Sequence, residues 1–233
     1  MTPPADASIN TTDGLAYWES VSADENGMLG GIPSIGGFAY ISKVDLQGSR
    51  NFLAKLGIGL KPPHRGVNSA LEGGAGIGRI TRGLLLPFTP QVDIIEPIAK
   101  FTASIAPQVR RVFNIGLESW VPDPSDIKYD LIWIQWCVGH LTDSQLVSFL
   151  ERCKSALDAD REGVIVLKEN LSTSGEDVFD EEDSSVTRED GKFLKLFEAA
   201  GLEVVRMEVQ RGFPVTSAMR LLPVKMYALR GER

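Results

Sequence analysis

The chain has 233 residues, of which 43% are apolar and 24% charged, with a formal net charge of −7. This is a globular composition with enough apolar residues for one well-cored domain and an extension, and the acidic balance argues against a general nucleic-acid or anionic-membrane binder. Two cysteines outside any CxxC pattern and two histidines argue against a disulfide framework and against a metal site, and no apolar run approaches the roughly 20 residues of a membrane span.

In chain order, "MTPPADASINTTDG" lacks the basic and apolar regions of a signal peptide, so residues 1–14 read as a disordered tail. Residues 15–60 read as an N-terminal helical extension: "LAYWESV" a short helix, "GMLGGIPSIGGF" a glycine-rich loop, and "VDLQGSRNFLAKLGI" an amphipathic helix. "KPPHRG" breaks the chain, and residues 61–233 form the main domain. There "VNSALEG" predicts a strand, Gly78 to Leu86 a helix, "QVDIIEP" a strand, "IAKFTASIA" a helix and "RRVFNIG" a strand. "YDLIWIQW" is nearly all apolar, as a strand buried on both faces requires, and "TDSQLVSFLERCKSAL" follows as a helix capped by Thr142 or Asp143. "GVIVLKEN" is a further buried strand, "LSTSGEDVFDEEDSS" an acidic loop, and "REDGKFLKLFEAAG" a helix closed by Gly201. "LEVVRMEVQ" and "PVKMYALR" read as a terminal antiparallel pair. Alternating strands and helices imply an α/β fold with a mostly parallel sheet; the terminal pair sets it apart from a plain dinucleotide-binding fold.

Gly74, Gly76 and Gly78 lie between the first strand of this domain and its helix, where bare backbone admits a ligand at the carboxyl edge of the sheet. Nicotinamide, flavin and S-adenosylmethionine sites all use such a turn. Glu96 ends the next strand about 20 residues on, where a carboxylate reaches ribose hydroxyls. Glu72 ahead of the glycines matches the E/D-x-G-x-G-x-G pattern of class I methyltransferases better than the dinucleotide fingerprint. Arg79 is placed to pair with a methionine carboxylate, its plain alternative being a surface arginine.

Four longer stretches, "GMLGG" (27–31), "GAGIGRIT" (74–81), "LIWIQWCVGHLTD" (131–143) and "DSSVTRED" (183–190), occur in order. Together they closely resemble the protein N-terminal methyltransferases, from about Tyr17 to Arg230. The resemblance implies a class I, Rossmann-like, seven-stranded mostly parallel sheet under an N-terminal helical lid. It implies S-adenosylmethionine as methyl donor, S-adenosylhomocysteine as product, and no metal. The implied partners are protein N-termini beginning Xaa-Pro-Lys or Xaa-Pro-Arg, with neither nucleic acid nor membrane, and the implied location is the cytoplasm, with the nucleus as a second.

By the same resemblance, Gly74, Gly76, Arg79, Glu96, Pro97, Leu117, Glu118 and Gln135 line the cofactor site. Trp18, Leu29, Gly30, Trp136, Asp180 and Ser185 line the peptide channel, and Asn170, Asp183 and His140 position and deprotonate the α-amine. The residue types suit the chemistry: an α-amine of pKa about 7.7–8.0 is mostly protonated at neutral pH, and a neighbouring carboxylate or imidazole accepts its proton. Acids of "EDVFDEEDSS" would attract the basic third residue, Trp136 at a strand end would pack against a substrate proline while Trp133 is core, and His140 has bracing of its loop as the plain alternative. The chain departs from the family at Leu222, where a tyrosine is usual, and in a longer "IPSIGGFA" segment. Two other readings stand beside this one: a small-molecule methyltransferase on the same fold, and a catalytically weak peptide- or cofactor-binding relative.

Overall fold

A computed structural model describes residues 3–123, 127–215 and 221–231; the first two residues of the expected tail lie outside them. Strands β1 (Ala70–Gly73), β2 (Val92–Ile95), β3 (Arg111–Phe113), β4 (Leu131–Gln135) and β5 (Val164–Asn170) are parallel. A two-stranded side sheet, β6 (Val178–Asp180) and β7 (Ser185–Thr187), precedes β8 (Leu202–Val209) and β9 (Val224–Gly231). The main sheet has seven strands in the order β3-β2-β1-β4-β5-β9-β8, with β9 antiparallel to both neighbours. The fold class and the terminal antiparallel pair are as the sequence implied.

The alternation along the central strands sorts side chains into two cores. Ile132, Ile134, Ile165, Leu167, Tyr227 and Leu229 face one side, which α5 (Asp143–Ala156) and α6 (Asp190–Ala199) cover. Leu131, Trp133, Val164, Val166, Met226 and Ala228 face the other, which Phe52 and Leu53 of α3 (Ile41–Lys55) cover together with Leu84 and Leu85. Both faces are buried along β1, β2 and β4, and the sequence there is mostly apolar, with Glu72, Asp93 and Gln135 the polar exceptions. In α5 the buried residues are Leu146, Phe149, Leu150, Cys153 and Ala156, a single helical stripe. A reciprocal capping box between Thr142 and Gln145 starts that helix. Gly201, with φ +64°, follows Ala200 and ends α6.

Three expectations need correction. The polar segment read as a tail is ordered from its third residue: a 3₁₀ turn spans Ala5–Ser8 and helix α1 runs Thr11–Ser20. Its polar side chains serve as caps and anchors, which composition cannot distinguish from disorder. Asn10 caps α1 by accepting from the Thr12 N–H, its own N–H donates to Ser184 Oγ, and Asp6 accepts from the Asp143 N–H. Second, the helix expected from Gly78 to Leu86 is brief and widens into a π turn at Thr81–Leu85, with the Leu86 N–H bonded to the Thr81 carbonyl. The "IAKFTASIA" helix is likewise cut to α4 (Ala99–Thr102) and a 3₁₀ turn at Ala106–Gln108. Third, the acidic loop holds the β6–β7 hairpin, and the glycine-rich loop holds α2 (Glu25–Met28) and a turn at Ile32–Ser34.

Candidate active site

Two adjoining cavities open at the carboxyl ends of β1, β2, β4 and β5, roofed by α1. The first encloses about 190 Å³. All eight residues expected around the cofactor line it: Gly74, Gly76, Arg79, Glu96, Pro97, Leu117, Glu118 and Gln135. The second, of about 100 Å³, is lined by Asn170, Asp183 and Ser185. Trp18, Trp136 and His140 belong to both and form the partition.

The glycine turn answers to sterics. Gly74 has φ +68° and Gly76 φ +52°, in the left-handed region. A Cβ at Gly74 would fall 2.4 Å from Cys137 Cβ, and one at Gly76 2.7 Å from Met28 Sδ. Glu96, at the end of β2, closes the turn: its Oε2 accepts from the Gly76 N–H at 2.8 Å and its Oε1 from the Ile98 N–H at 2.9 Å. Burial raises its pKa, against those two bonds. Glu72 lies beneath the turn, 2% exposed, and accepts from Thr81 Oγ1 at 2.5 Å. Burial pushes its pKa up to about 8, so it is mostly protonated at neutral pH.

Arg79 is not a surface residue. Its side chain is 9% exposed, its Nη1 is 2.7 Å from Asp45 Oδ2, and its guanidinium stands 5.3 Å from the Trp136 ring centre. Gln135 Nε2 donates to the same Asp45 carboxylate at 3.0 Å.

The second cavity is built from three distant segments. Trp136, at the end of β4, is held at φ +53°, a backbone conformation costly for a side chain of that size. His140 follows in the loop to α5. Arg188, fully buried behind β7, holds that loop by donating to the Val138 and Leu141 carbonyls and to Asp143. This gives the "GHLTD" and "DSSVTRED" stretches a shared structural purpose. Asp183 sits at the tip of the β6–β7 hairpin, beside Ser184 at φ +56°.

The polar atoms here are unequally satisfied. His140 Nε2 accepts from the Trp18 indole N–H at 2.9 Å, which places the proton of the neutral ring on Nδ1. Nδ1 is buried without a well-formed hydrogen bond, the Ser184 backbone and the Asp183 charge being the groups that act on the ring. Burial lowers the His140 pKa, against the charge of Asp183. Asp183 Oδ1 and Trp136 Nε1 are also buried without a hydrogen-bond partner. Beneath them lies Glu169, whose carboxylate burial pushes up to about 7 while the N–H groups of Asn170, Val138 and Cys137 oppose the shift.

Three expected residues stand apart from both cavities. Leu29 is buried with Phe38 and Ile41 in a small cluster against which Trp136 packs, and Gly30 follows it at φ +59°. Asp180 is exposed on β6, where its Oδ1 accepts from the Glu182 N–H. It acts electrostatically on Tyr17, which neighbours Trp18: burial raises the pKa of Tyr17, with further contributions from Glu182, Asp183 and Asp180. The sequence reading missed Asn10, Gly14 and Leu15 in the first cavity and Glu169 in the second. A glutamate inside an apolar strand was the available signal for the last; nothing local marked the others.

The chain matches the family model described as AdoMet dependent proline di-methyltransferase over residues 6–230. It is 41% identical over 222 residues to alpha N-terminal protein methyltransferase 1 of Schizosaccharomyces pombe, spanning 94% of each chain. It is 40% identical over 205 residues to N-terminal Xaa-Pro-Lys N-methyltransferase 1-B of Xenopus laevis, spanning 85% of this chain and 86% of that one. Among solved structures, a SAM-dependent methyltransferase of Leishmania major superposes with a TM-score of 0.80 at 35% identity, covering 94% of this chain and 82% of the other.

Proposed function

The chain belongs to the AdoMet-dependent proline di-methyltransferase family, and on that premise we propose that it methylates the α-amine of protein N-termini beginning Xaa-Pro-Lys or Xaa-Pro-Arg. The observation that carries the substrate reading is the set of three buried polar atoms without partners, Trp136 Nε1, His140 Nδ1 and Asp183 Oδ1, around a cavity that adjoins the cofactor cavity. Such groups cost free energy in the folded protein, of order 1–3 kcal/mol each, and a polar ligand repays it. An N-terminal peptide brings both kinds of partner: ammonium hydrogens for the carboxylate and carbonyl oxygens for the indole and imidazole N–H groups.

The first cavity fits S-adenosylmethionine: bare backbone at Gly74 and Gly76, a buried acid at the end of β2 for the ribose, and the cation of Arg79 for the carboxylate. When bound, the cofactor supplies an electrophilic methyl group on a sulfonium. The chain's residues prepare the amine. Asp183 Oδ1 would bind the ammonium and accept its proton, leaving the amine's lone pair free to take the methyl group. Asn170, beside it, orients the amine. His140 acts as a donor, because Trp18 already occupies Nε2. Trp18 and Trp136 wall the passage between cavities and align the reacting atoms. The acids on the β6–β7 hairpin, Asp180, Glu182 and Asp183, favour a basic third residue and count against the small-molecule alternative.

The test is mass spectrometry of a Ser-Pro-Lys-Arg peptide incubated with protein and S-adenosylmethionine, beside an N-acetylated control. Whole methyl increments on the free peptide alone are expected, and their number gives the product multiplicity. Methylation of the acetylated peptide, or of neither, would overturn the assignment.

A further inference from the structure

Lys168 is the misfit of its strand, a lysine with no exposed side-chain surface in the middle of β5. It touches neither cavity. Its Nζ lies 2.5 Å from Asp45 Oδ1, 3.1 Å from the Asp45 carbonyl, 3.0 Å from Ser49 Oγ and 2.9 Å from Gln210 Oε1. Ser49 Oγ–H is itself committed to the Asp45 carbonyl. Every one of these four neighbours of Nζ is therefore an acceptor, a setting that suits an ammonium, with three N–H groups and no lone pair, and leaves an amine's lone pair facing lone pairs. Burial works to lower the Lys168 pKa, and the Asp45 charge opposes it.

Asp45 thus carries two cations, Lys168 and Arg79, on one fully buried carboxylate, which they hold below its ordinary pKa against the effect of burial. Buried charges ordinarily balance. Here the sum is one positive charge, and the next acid beside Arg79, Glu72, is held mostly neutral by its own burial. Of the groups bonded to Asp45, Arg79 and Gln135 line the first cavity.

We propose that Asp45 and Lys168 are positioning residues for the amino-acid end of the cofactor: the shared carboxylate fixes Arg79 and Gln135, and Lys168 leaves the cluster one positive charge in excess, which the cofactor's carboxylate neutralises. The inference rests on the reading of the first cavity as the S-adenosylmethionine site.

The test is calorimetric binding of two probes, S-adenosylhomocysteine and 5′-methylthioadenosine. They share the nucleoside and thioether, but only the first has the amino-acid group. In Lys168→Met the excess charge is gone; affinity for S-adenosylhomocysteine should fall on the order of tenfold, with affinity for methylthioadenosine unchanged. In Lys168→Met/Asp45→Asn, Arg79 alone carries the single positive charge, its guanidinium still donating to the amide oxygen introduced at position 45, and S-adenosylhomocysteine should bind more tightly than to the single variant. Should Lys168→Met not fold, the double variant decides: the amide oxygen at position 45 still accepts from Arg79 and Gln135 and holds them in place, so the charge alone is tested and the preference for S-adenosylhomocysteine over methylthioadenosine must persist. Equal loss of both probes, no loss of either, or a double variant no better than the single overturns the proposal. A wild-type protein that binds neither probe overturns the cofactor reading itself.

Discussion

The two cavities share a wall and differ in how their polar groups are settled. In the first, Glu96 is bonded through both oxygens, Glu72 to Thr81, and Arg79 and Gln135 to Asp45. In the second, a carboxylate oxygen, an imidazole nitrogen and an indole nitrogen are buried and unpaired. In the first the groups already hold one another, an arrangement that suits a ligand received in one pose. The second carries an unmet demand that a peptide terminus fills, so specificity there comes from the penalty of leaving those atoms alone.

The contrast can be broken at several points. The largest effect is expected from Asp183→Asn, which keeps the shape of the second cavity and removes its proton acceptor. Turnover should fall by about 10²–10⁴, while S-adenosylhomocysteine affinity, measured by calorimetry, stays at the wild-type value. Full turnover would mean that the base lies elsewhere. Gly74→Ala is the converse: its Cβ meets Cys137 at 2.4 Å and its φ is +68°. Cofactor affinity should drop on the order of tenfold or more, whereas Asp183→Asn spares it. Trp18→Phe removes the N–H that fixes the His140 ring and keeps the aromatic wall. It should lower kcat by about tenfold, the size of one lost neutral hydrogen bond, with little change in cofactor binding; equal losses in both would erase the division between the cavities.

An effect of a different kind is a dependence of stability on pH. Glu72 titrates near 4.5 when unfolded and at about 8 when folded. The folded state therefore binds more protons between those values, and its stability is full below pH 4.5 and lost as pH rises through 8. Glu169, raised to about 7, adds in the same direction. Melting temperature should decline from pH 5 to pH 8, and Glu72→Gln should flatten that decline. A slope unchanged in the variant would show that Glu72 is ionised in the fold.

Much of this was legible in the chain itself. A nearly all-apolar run, "YDLIWIQW", announced a strand buried on both faces, and the glycine turn with Glu96 announced a ligand at the sheet edge, because those patterns report local sterics and burial. The eight residues that the family resemblance placed around the cofactor all line the first cavity. What the sequence could not show depended on partners distant in the chain. Asn10 became an anchor only because Ser184 meets it, 174 residues away, and Lys168 became a charged residue in a dry strand only because α3 brings Asp45 across the sheet. Asp180 points the other lesson: it carries the right charge in the right motif, yet the hairpin turns it to solvent while Asp183 is turned inward. Hydrophobic periodicity is a property of neighbouring residues and survives in one dimension. The pairing of buried polar atoms is decided by packing, and exists only once the layers have closed.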